Sequence, residues 1–188
     1  MSIRTFISID IEEPLVVGKI VSIQESLKEL GIDAKFVEPQ NLHYTLKFLG
    51  NINEGLINEI SDVLSGITAK SFEVEIGGIG SFPNLRRINV IWVGAKTGGE
   101  HLVSLAKQVD DALSKLRFPR EARPFTPHLT ICRVKSSRNK EKIVKFLLDN
   151  QDIKIGKIKV TEFRLKKSTL TPKGPIYETL ASFKLEES

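Results

Sequence analysis

The chain has 188 residues, of which 40% are hydrophobic and 27% are charged, values typical of a folded globular protein. Its single cysteine, Cys132, excludes an intrachain disulfide framework and a multi-cysteine zinc site. The net charge of +5 is unevenly divided, because residues 1–94 carry −4 and residues 95–188 carry +9, which makes the second half a candidate surface for a polyanion.

Hydrophobic spacing predicts a βαβαβ order that occurs twice, followed by one extra strand. The first series is a strand over 3–11, a helix over 14–30, a strand over 42–49, a helix over 57–67 and a strand over 72–79. The second series is a strand over 88–93, a helix over 102–116, a strand over 128–134, a helix over 143–147 and one long strand over 153–165. A turn over 171–174 leads to the last strand, over 176–185.

The two series are related by a constant offset in the sequence. His43 and His128 lie 85 residues apart, and so do Thr45 and Thr130. A repeat of this kind predicts two similar lobes, and no segment is long enough to be a linker between them. We therefore expect a single bilobal domain over 1–188, with a first repeat over about 1–85 and a second over about 86–188.

Two of the three histidines stand in the same setting, His43-Tyr44-Thr45-Leu46 and His128-Leu129-Thr130-Ile131. Alternate side chains of a strand share a face, so each histidine projects with its threonine while the apolar neighbours point into a core. One such motif is weak evidence, since an isolated strand histidine is usually structural. Two motifs at a matching offset indicate a shared site in one cleft.

Two imidazoles in one cleft are suited to acid–base chemistry at a phosphodiester. Imidazole titrates near neutral pH, so one ring can be neutral and take a proton from water while the other is charged and protonates the leaving oxygen. Threonine hydroxyls can donate to the non-bridging phosphate oxygens. Neither motif has the third ligand that a metal site needs, so we expect no metal and no cofactor.

Phe48 and Arg133 lie five residues after the two histidines, at matching places in the repeats. An arginine there could bind phosphate with two parallel hydrogen bonds, and a phenylalanine could stack on a base. Strict alternation places both on the face opposite the histidines, so a β-bulge or a strand end is needed to turn them into the cleft. For Phe48 the alternative is simple core packing.

Other candidates have structural explanations. Lys47 and Cys132 occupy corresponding positions but share no chemistry, and an unpaired cysteine usually behaves as a small buried hydrophobe. The third histidine, His101, is expected at the exposed start of a helix. The segment over 82–87 either borders the cleft or forms a turn between lobes.

Residues 41–50 and 123–133, which contain the two motifs, resemble the two-histidine (2H) phosphoesterases, and most closely the LigT-like RNA 2′,3′-cyclic phosphodiesterases. Residues 4–10, residues 165–168 and Tyr177 are similar to that group as well. The resemblance implies an α+β fold in which two antiparallel sheets face a central cleft, with helices on the outside.

The resemblance also implies the reaction, which is hydrolysis of a terminal 2′,3′-cyclic phosphate on RNA to a 2′-phosphate, and in some members a reversible 2′–5′ ligation of tRNA halves. His43 would be the proton donor and His128 the proton acceptor, with Thr45 and Thr130 holding the phosphate. This division of roles rests on the resemblance, because the symmetric motifs do not say which histidine is which.

Two other functions remain open at this stage. The chain could be a different 2H enzyme, such as a 3′-end RNA exonuclease or a small cyclic-nucleotide phosphodiesterase, or it could be a module that binds RNA 3′ ends without turnover. Two intact histidine motifs favour turnover, since binding alone needs only charge and stacking surfaces. We expect a cytoplasmic monomer whose partner is RNA with cyclic phosphate ends, for example tRNA fragments, and no membrane association, since no apolar run is long enough for a span.

Overall fold

The computed structural model describes all residues from 1 to 188. Its nine strands are β1 Ser2–Asp10, β2 Ala34–Phe36, β3 His43–Asn53, β4 Phe72–Pro83, β5 Ile88–Ala95, β6 Leu129–Val134, β7 Lys154–Val160, β8 Glu162–Thr171 and β9 Gly174–Lys184. Its four α-helices are α1 Pro14–Glu29, α2 Ile57–Ser65, α3 Gly99–Ser114 and α4 Lys140–Asp149. Short 3₁₀ turns precede β3 and α2.

The strands form two sheets in which every neighbouring pair is antiparallel. The first sheet has the order β3-β1-β8-β9, and the second has the order β2-β6-β5-β4-β7. The Tyr44 hydroxyl of β3 donates to the Gly94 carbonyl of β5 at 3.0 Å, which ties the two sheets together beneath the cleft. The predicted α+β class with two antiparallel sheets is confirmed.

Strands from both halves of the sequence are mixed in each sheet. β4 comes from the first half but pairs with β5 in the second sheet, while β8 comes from the second half but pairs with β1 in the first sheet. The 85-residue offset relates β1 to β5 and β3 to β6. The order β3-β1-β8 in the first sheet therefore corresponds to β6-β5-β4 in the second, and in each sheet the third of these strands comes from the other half of the sequence. The division of the chain into repeats at about residue 85 stays a prediction.

The helices cover the outer faces of the sheets. α1 follows β1 but packs on β6 and β7 of the second sheet, whereas α3 follows β5 but packs on β3 of the first sheet and on α2. Most of the apolar positions that predicted the helices are buried, for example Ile20 and Leu27 in α1 and Leu102 and Val109 in α3. No helix is long and apolar enough to span a membrane.

One prediction of secondary structure is wrong, and one strand was not predicted. The single long strand over 153–165 is two strands, β7 and β8, which separate at Thr161 and enter different sheets. The three-residue strand β2 was not predicted, because it is too short to show an alternating pattern. It pairs with β6 at the edge of the second sheet.

Candidate active site

The two motif histidines are held by the same kind of hydrogen bond. The Nδ1 atom of His43 lies 2.7 Å from the carbonyl oxygen of Asn41, and Nδ1 of His128 lies 3.0 Å from that of Thr126. Because a carbonyl oxygen only accepts, Nδ1 carries a hydrogen in both rings, and in the neutral form Nε2 is the basic nitrogen. Each imidazole is therefore fixed with Nε2 available for proton transfer.

The two threonines differ in their present contacts. The Thr45 hydroxyl lies 2.9 Å from Nε2 of His43 and donates to it when that ring is neutral. Thr130 is half-buried and makes no side-chain hydrogen bond, so its hydroxyl is free to donate elsewhere. Both threonines share a strand face with their histidines, as alternation predicts.

A β-bulge interrupts each motif strand three residues after its histidine. Ile7 and Ser8 of β1 are opposite Lys47 and Thr45, so Leu46 is an extra residue in β3. Ile91 and Trp92 of β5 are opposite Cys132 and Thr130, which makes Ile131 the extra residue in β6. An extra residue reverses the alternation beyond it, so the side chain five residues after each histidine returns to the face of that histidine.

Phe48 and Arg133 accordingly lie on the cleft face of their sheets. Phe48 is 61% exposed and is not core packing, and its ring lies 6.3 Å from that of Phe6. Arg133 is exposed and reaches the neighbourhood of Tyr177 in the opposite sheet, where burial raises the pKa of the tyrosine and the Arg133 cation acts against that rise. Arg4 acts on Tyr177 in the same direction.

The bulges are held by different contacts. In β6 the carbonyl of Ile131 accepts hydrogen bonds from the buried Gln24 amide at 2.9 Å and from the Val37 backbone at 3.0 Å. In β3 the neighbouring Lys47 is 4% exposed and donates to Asp110 at 2.7 Å and to Glu121 at 3.0 Å. Lys47 therefore points away from the cleft and anchors the strand to α3.

Aromatic rings pack against both histidines. The ring of Phe6 lies 5.0 Å from that of His43, and Tyr177 meets the same imidazole edge-on at 5.4 Å. Phe82 meets His128 edge-on at 4.8 Å. Of the two interpretations of the segment over 82–87, Phe82 fits the border of the cleft, and the residues after it form a turn between β4 and β5 within the second sheet rather than between two sheets.

The charges around His43 act in opposite directions. Burial lowers the pKa of His43, the Asn41 carbonyl and the Asp10 carboxylate raise it, and the Lys166 cation and the neighbouring His128 lower it again. Since His128 affects this pKa, the two imidazoles are electrostatic neighbours across the cleft. Burial alone would raise the pKa of Asp10, but hydrogen bonds from Lys166 at 2.7 Å and Ser8 at 2.8 Å hold it below its usual value.

The remaining candidates lie outside this cleft. Cys132 is buried, and burial raises the pKa of its thiol to about 12, so it stays protonated. His101 is exposed in the first turn of α3, as predicted. Sequence reasoning missed Phe6, Gln24 and Asp10, because each reaches its partner from a distant segment and belongs to no repeated motif.

Comparison with known proteins assigns the family. The model of the LigT like Phosphoesterase family matches residues 11–92 and 93–177. A curated relative from Methanothermobacter thermautotrophicus, named RNA 2′,3′-cyclic phosphodiesterase, is 40% identical over 98% of this chain and 100% of its own length. A relative of the same name from Methanocaldococcus jannaschii is 41% identical over 94% of this chain and 98% of its own.

Solved structures agree with these matches. The crystal structure of a Thermus thermophilus protein superimposes with a TM-score of 0.81 and 26% identity, and the match covers 98% of this chain and 99% of that one. Sequence and structure therefore give one answer, and the chain belongs to the LigT-like family of 2H phosphoesterases.

Proposed function

We propose that this protein hydrolyses the 2′,3′-cyclic phosphate at RNA 3′ ends to a 2′-phosphate, with His43 and His128 as an acid–base pair. The observation that carries the proposal is the shared frame of the two imidazoles, in each of which Nδ1 is bound to a backbone carbonyl and Nε2 is left as the nitrogen that exchanges protons. The names of the curated relatives support the same substrate.

The reaction needs two proton transfers. His128 takes a proton from water at Nε2 as the water oxygen attacks phosphorus. The bond between phosphorus and the 3′ oxygen breaks, and His43 delivers its Nε2 proton to that oxygen. His128 ends charged and His43 ends neutral, and exchange with solvent restores the starting states. Both transfers are made by imidazole, so the pair needs no metal ion.

The surroundings of the pair fit a phosphate. The free hydroxyl of Thr130 and that of Thr45 donate to non-bridging oxygens, where negative charge grows in the transition state. Arg133 adds a permanent cation that the bulge in β6 turns into the cleft. Phe48, exposed on the same side as His43, offers its ring to the terminal base.

The role of His43 as the acid depends on bound substrate. In the free protein burial lowers the pKa of His43 and favours the neutral ring. A phosphate anion in the cleft favours the charged ring, because an opposite charge nearby stabilises it. Substrate binding therefore loads the acid with its proton.

Finer features of the function remain predictions. Ligation would use the same two histidines, with an RNA 5′ hydroxyl in place of water as the attacking group. The use of tRNA halves as substrates, the monomeric state and the cytoplasmic location are likewise predictions from the sequence. Incubation with RNA that carries both a cyclic phosphate and a free 5′ hydroxyl would separate the outcomes, since ligation lengthens the RNA and hydrolysis does not.

The direct test uses a short oligoribonucleotide that ends in a 2′,3′-cyclic phosphate, incubated with the protein and EDTA. We expect conversion to a 2′-phosphate, identified by its resistance to enzymes that remove 3′-phosphates. Conversion to a 3′-phosphate, shortening of the RNA, or binding without conversion would contradict the proposal. A need for added divalent metal would contradict the mechanism.

A further inference from the structure

A second set of cations lies beyond the cleft, where β6 ends. A groove of about 240 Å³ is bordered by the turn before β5 and by the segment between β6 and α4. No acidic side chain lines this groove. Its polar lining includes Arg86, Arg87, Asn89, Lys135, Ser136 and Lys140.

The cations of this groove have no acidic partner, whereas some others on the surface are paired. Lys145 on the exposed side of α4 binds Asp149 at 2.6 Å, and Lys107 binds Asp111 at 3.3 Å. Arg86, Arg87, Lys135 and Lys140 have no acidic partner within 4.0 Å. The Lys140 ammonium instead donates to the Arg86 carbonyl, which fixes the start of α4 to the turn. Clustered cations without counter-charges are suited to bind a polyanion.

Strand β6 connects this groove to the cleft. His128 directly precedes the strand, Arg133 lies near its end, and Lys135 follows it by one residue. Residues two apart in an extended chain are about 6.6 Å apart. The cations therefore continue the line that begins at the phosphate site and passes Arg133.

A larger groove of about 640 Å³ adjoins the basic one and shares Arg86 with it. Its apolar lining includes Trp92, Leu85 and Leu148, and it also lacks acidic side chains. Trp92 rests on Gly80, where a Cβ atom would come within 2.4 Å of the indole ring. The indole nitrogen is buried and has no hydrogen-bond partner, so only the ring carbons of Trp92 are available to a ligand.

We propose that the two grooves bind the RNA strand upstream of the cyclic phosphate, a proposal that rests on the proposed function. Backbone phosphates lie along Arg86, Arg87, Lys135 and Lys140, and an upstream base enters the groove of Trp92. A cationic track beside an aromatic surface is the combination that binds single-stranded nucleic acid. An acidic peptide would use the cations but would leave the aromatic groove without a role.

The test compares two substrates and two triple variants. The substrates are a nucleoside 2′,3′-cyclic phosphate and an RNA of about ten nucleotides with the same terminus. The groove variant is Arg87→Ala/Lys135→Ala/Lys140→Ala. The control variant, Lys154→Ala/Lys157→Ala/Lys159→Ala, removes the same charge from exposed positions of β7.

We expect the groove variant to raise KM for the RNA by at least about fivefold at low salt, with little change in the nucleoside substrate. The slope of log KM against log salt should fall by about 2, since each lost phosphate contact on a single strand accounts for about 0.7. The control variant should match the unmodified protein on both substrates. Equal behaviour of the groove and control variants on RNA would overturn the proposal.

Trp92 is the only tryptophan of the chain and gives a direct readout of its groove. We expect the RNA to quench the fluorescence of Trp92 in the His128→Ala protein, which binds RNA without turnover. The same RNA concentration should quench Trp92 less in a His128→Ala protein that also carries the three groove substitutions. An RNA that binds without quenching, or an oligoglutamate that competes better than RNA of equal charge, would overturn the proposal. If the unmodified protein turned over neither substrate, the proposed function itself would be contradicted.

Discussion

The two halves of the site share a backbone frame but differ in what surrounds the histidine. In both, an Nδ1–H donates to the carbonyl two residues earlier, and a bulge follows three residues after the ring. His43, however, bonds to Thr45 and lies among Phe6, Tyr177 and the charges of Asp10 and Lys166. On the other side, Thr130 has no such bond and one ring, Phe82, contacts the histidine.

The two copies of the repeat therefore share their local backbone geometry but differ in the side chains that surround each histidine. The hydrogen bond and the bulge depend on local backbone geometry, and both copies keep them. The proton affinity of each ring depends on neighbours from distant segments, such as Asp10 in β1, which have no counterpart in the other copy. An acid–base pair needs this combination, because its two groups must be aligned alike and protonated differently.

The largest expected effect comes from removing either ring. His43→Ala and His128→Ala should each lower kcat/KM for a cyclic phosphate substrate by at least about 100-fold, because each removes one of the two proton transfers. Steady-state kinetics on the purified variants measures the loss. His101→Ala, which removes an exposed histidine outside the cleft, is the control and should stay within about twofold of the unmodified protein.

A smaller effect should distinguish the two residues that the bulges turn into the cleft. Arg133→Ala should lower kcat/KM by about 10- to 100-fold, the value of a charge-assisted hydrogen bond of about 1.5–3 kcal/mol. Phe48→Ala should raise KM by about fivefold, the loss of a weak stacking contact. A smaller effect of Arg133→Ala than of Phe48→Ala on activity would contradict the assignment of phosphate binding to Arg133 and base stacking to Phe48.

The smallest expected effect is a shift in pH dependence. Burial lowers the pKa of His43, and the Asp10 carboxylate opposes this effect, so Asp10→Asn should lower that pKa further. The freed Lys166 cation acts in the same direction. An acid is active only below its pKa, and the basic limb of the kcat profile, which reports the substrate-bound enzyme, should therefore move to lower pH while the acidic limb stays.

The matched control for this shift is Glu12→Gln. Glu12 is a carboxylate partner of Arg164, at 2.9 Å, and it is not among the charges that act on His43. Both limbs of its profile should coincide with those of the unmodified protein. A basic limb that does not move in Asp10→Asn, or an acidic limb that does, would show that His43 is not the acid.

The sequence predicts the parts of this site that follow local rules. The helices appear in apolar spacing, and the histidines appear because the motif occurs twice at one offset. Alternation alone places Phe48 and Arg133 on the wrong face, since a bulge leaves no signature in the order of residues at Leu46 or Ile131. The bulge in β6 is stabilised by Gln24, which lies 107 residues away in sequence.

Tertiary structure also decides the surroundings of each ring. Phe6 reads as an ordinary strand residue and Phe82 as part of a cleft border or a turn, and only the pairing of the strands brings the two rings to the histidines. The break at Thr161 is similar, because both flanking segments are good strands and only their assignment to different sheets separates them. Contacts of this kind depend on the packing of distant segments, which spacing along the chain does not encode.

The division of roles between the two rings is tested most directly by changing the leaving atom. When the 3′ bridging oxygen of the substrate is replaced by sulfur, the 3′ atom departs from phosphorus as a thiolate and does not need a proton from an acid. In His43→Ala the sulfur substrate should recover at least about tenfold of the lost rate relative to the oxygen substrate, whereas His128→Ala should gain nothing. Recovery in His128→Ala alone would reverse the roles, and equal recovery in both variants would contradict an acid–base pair.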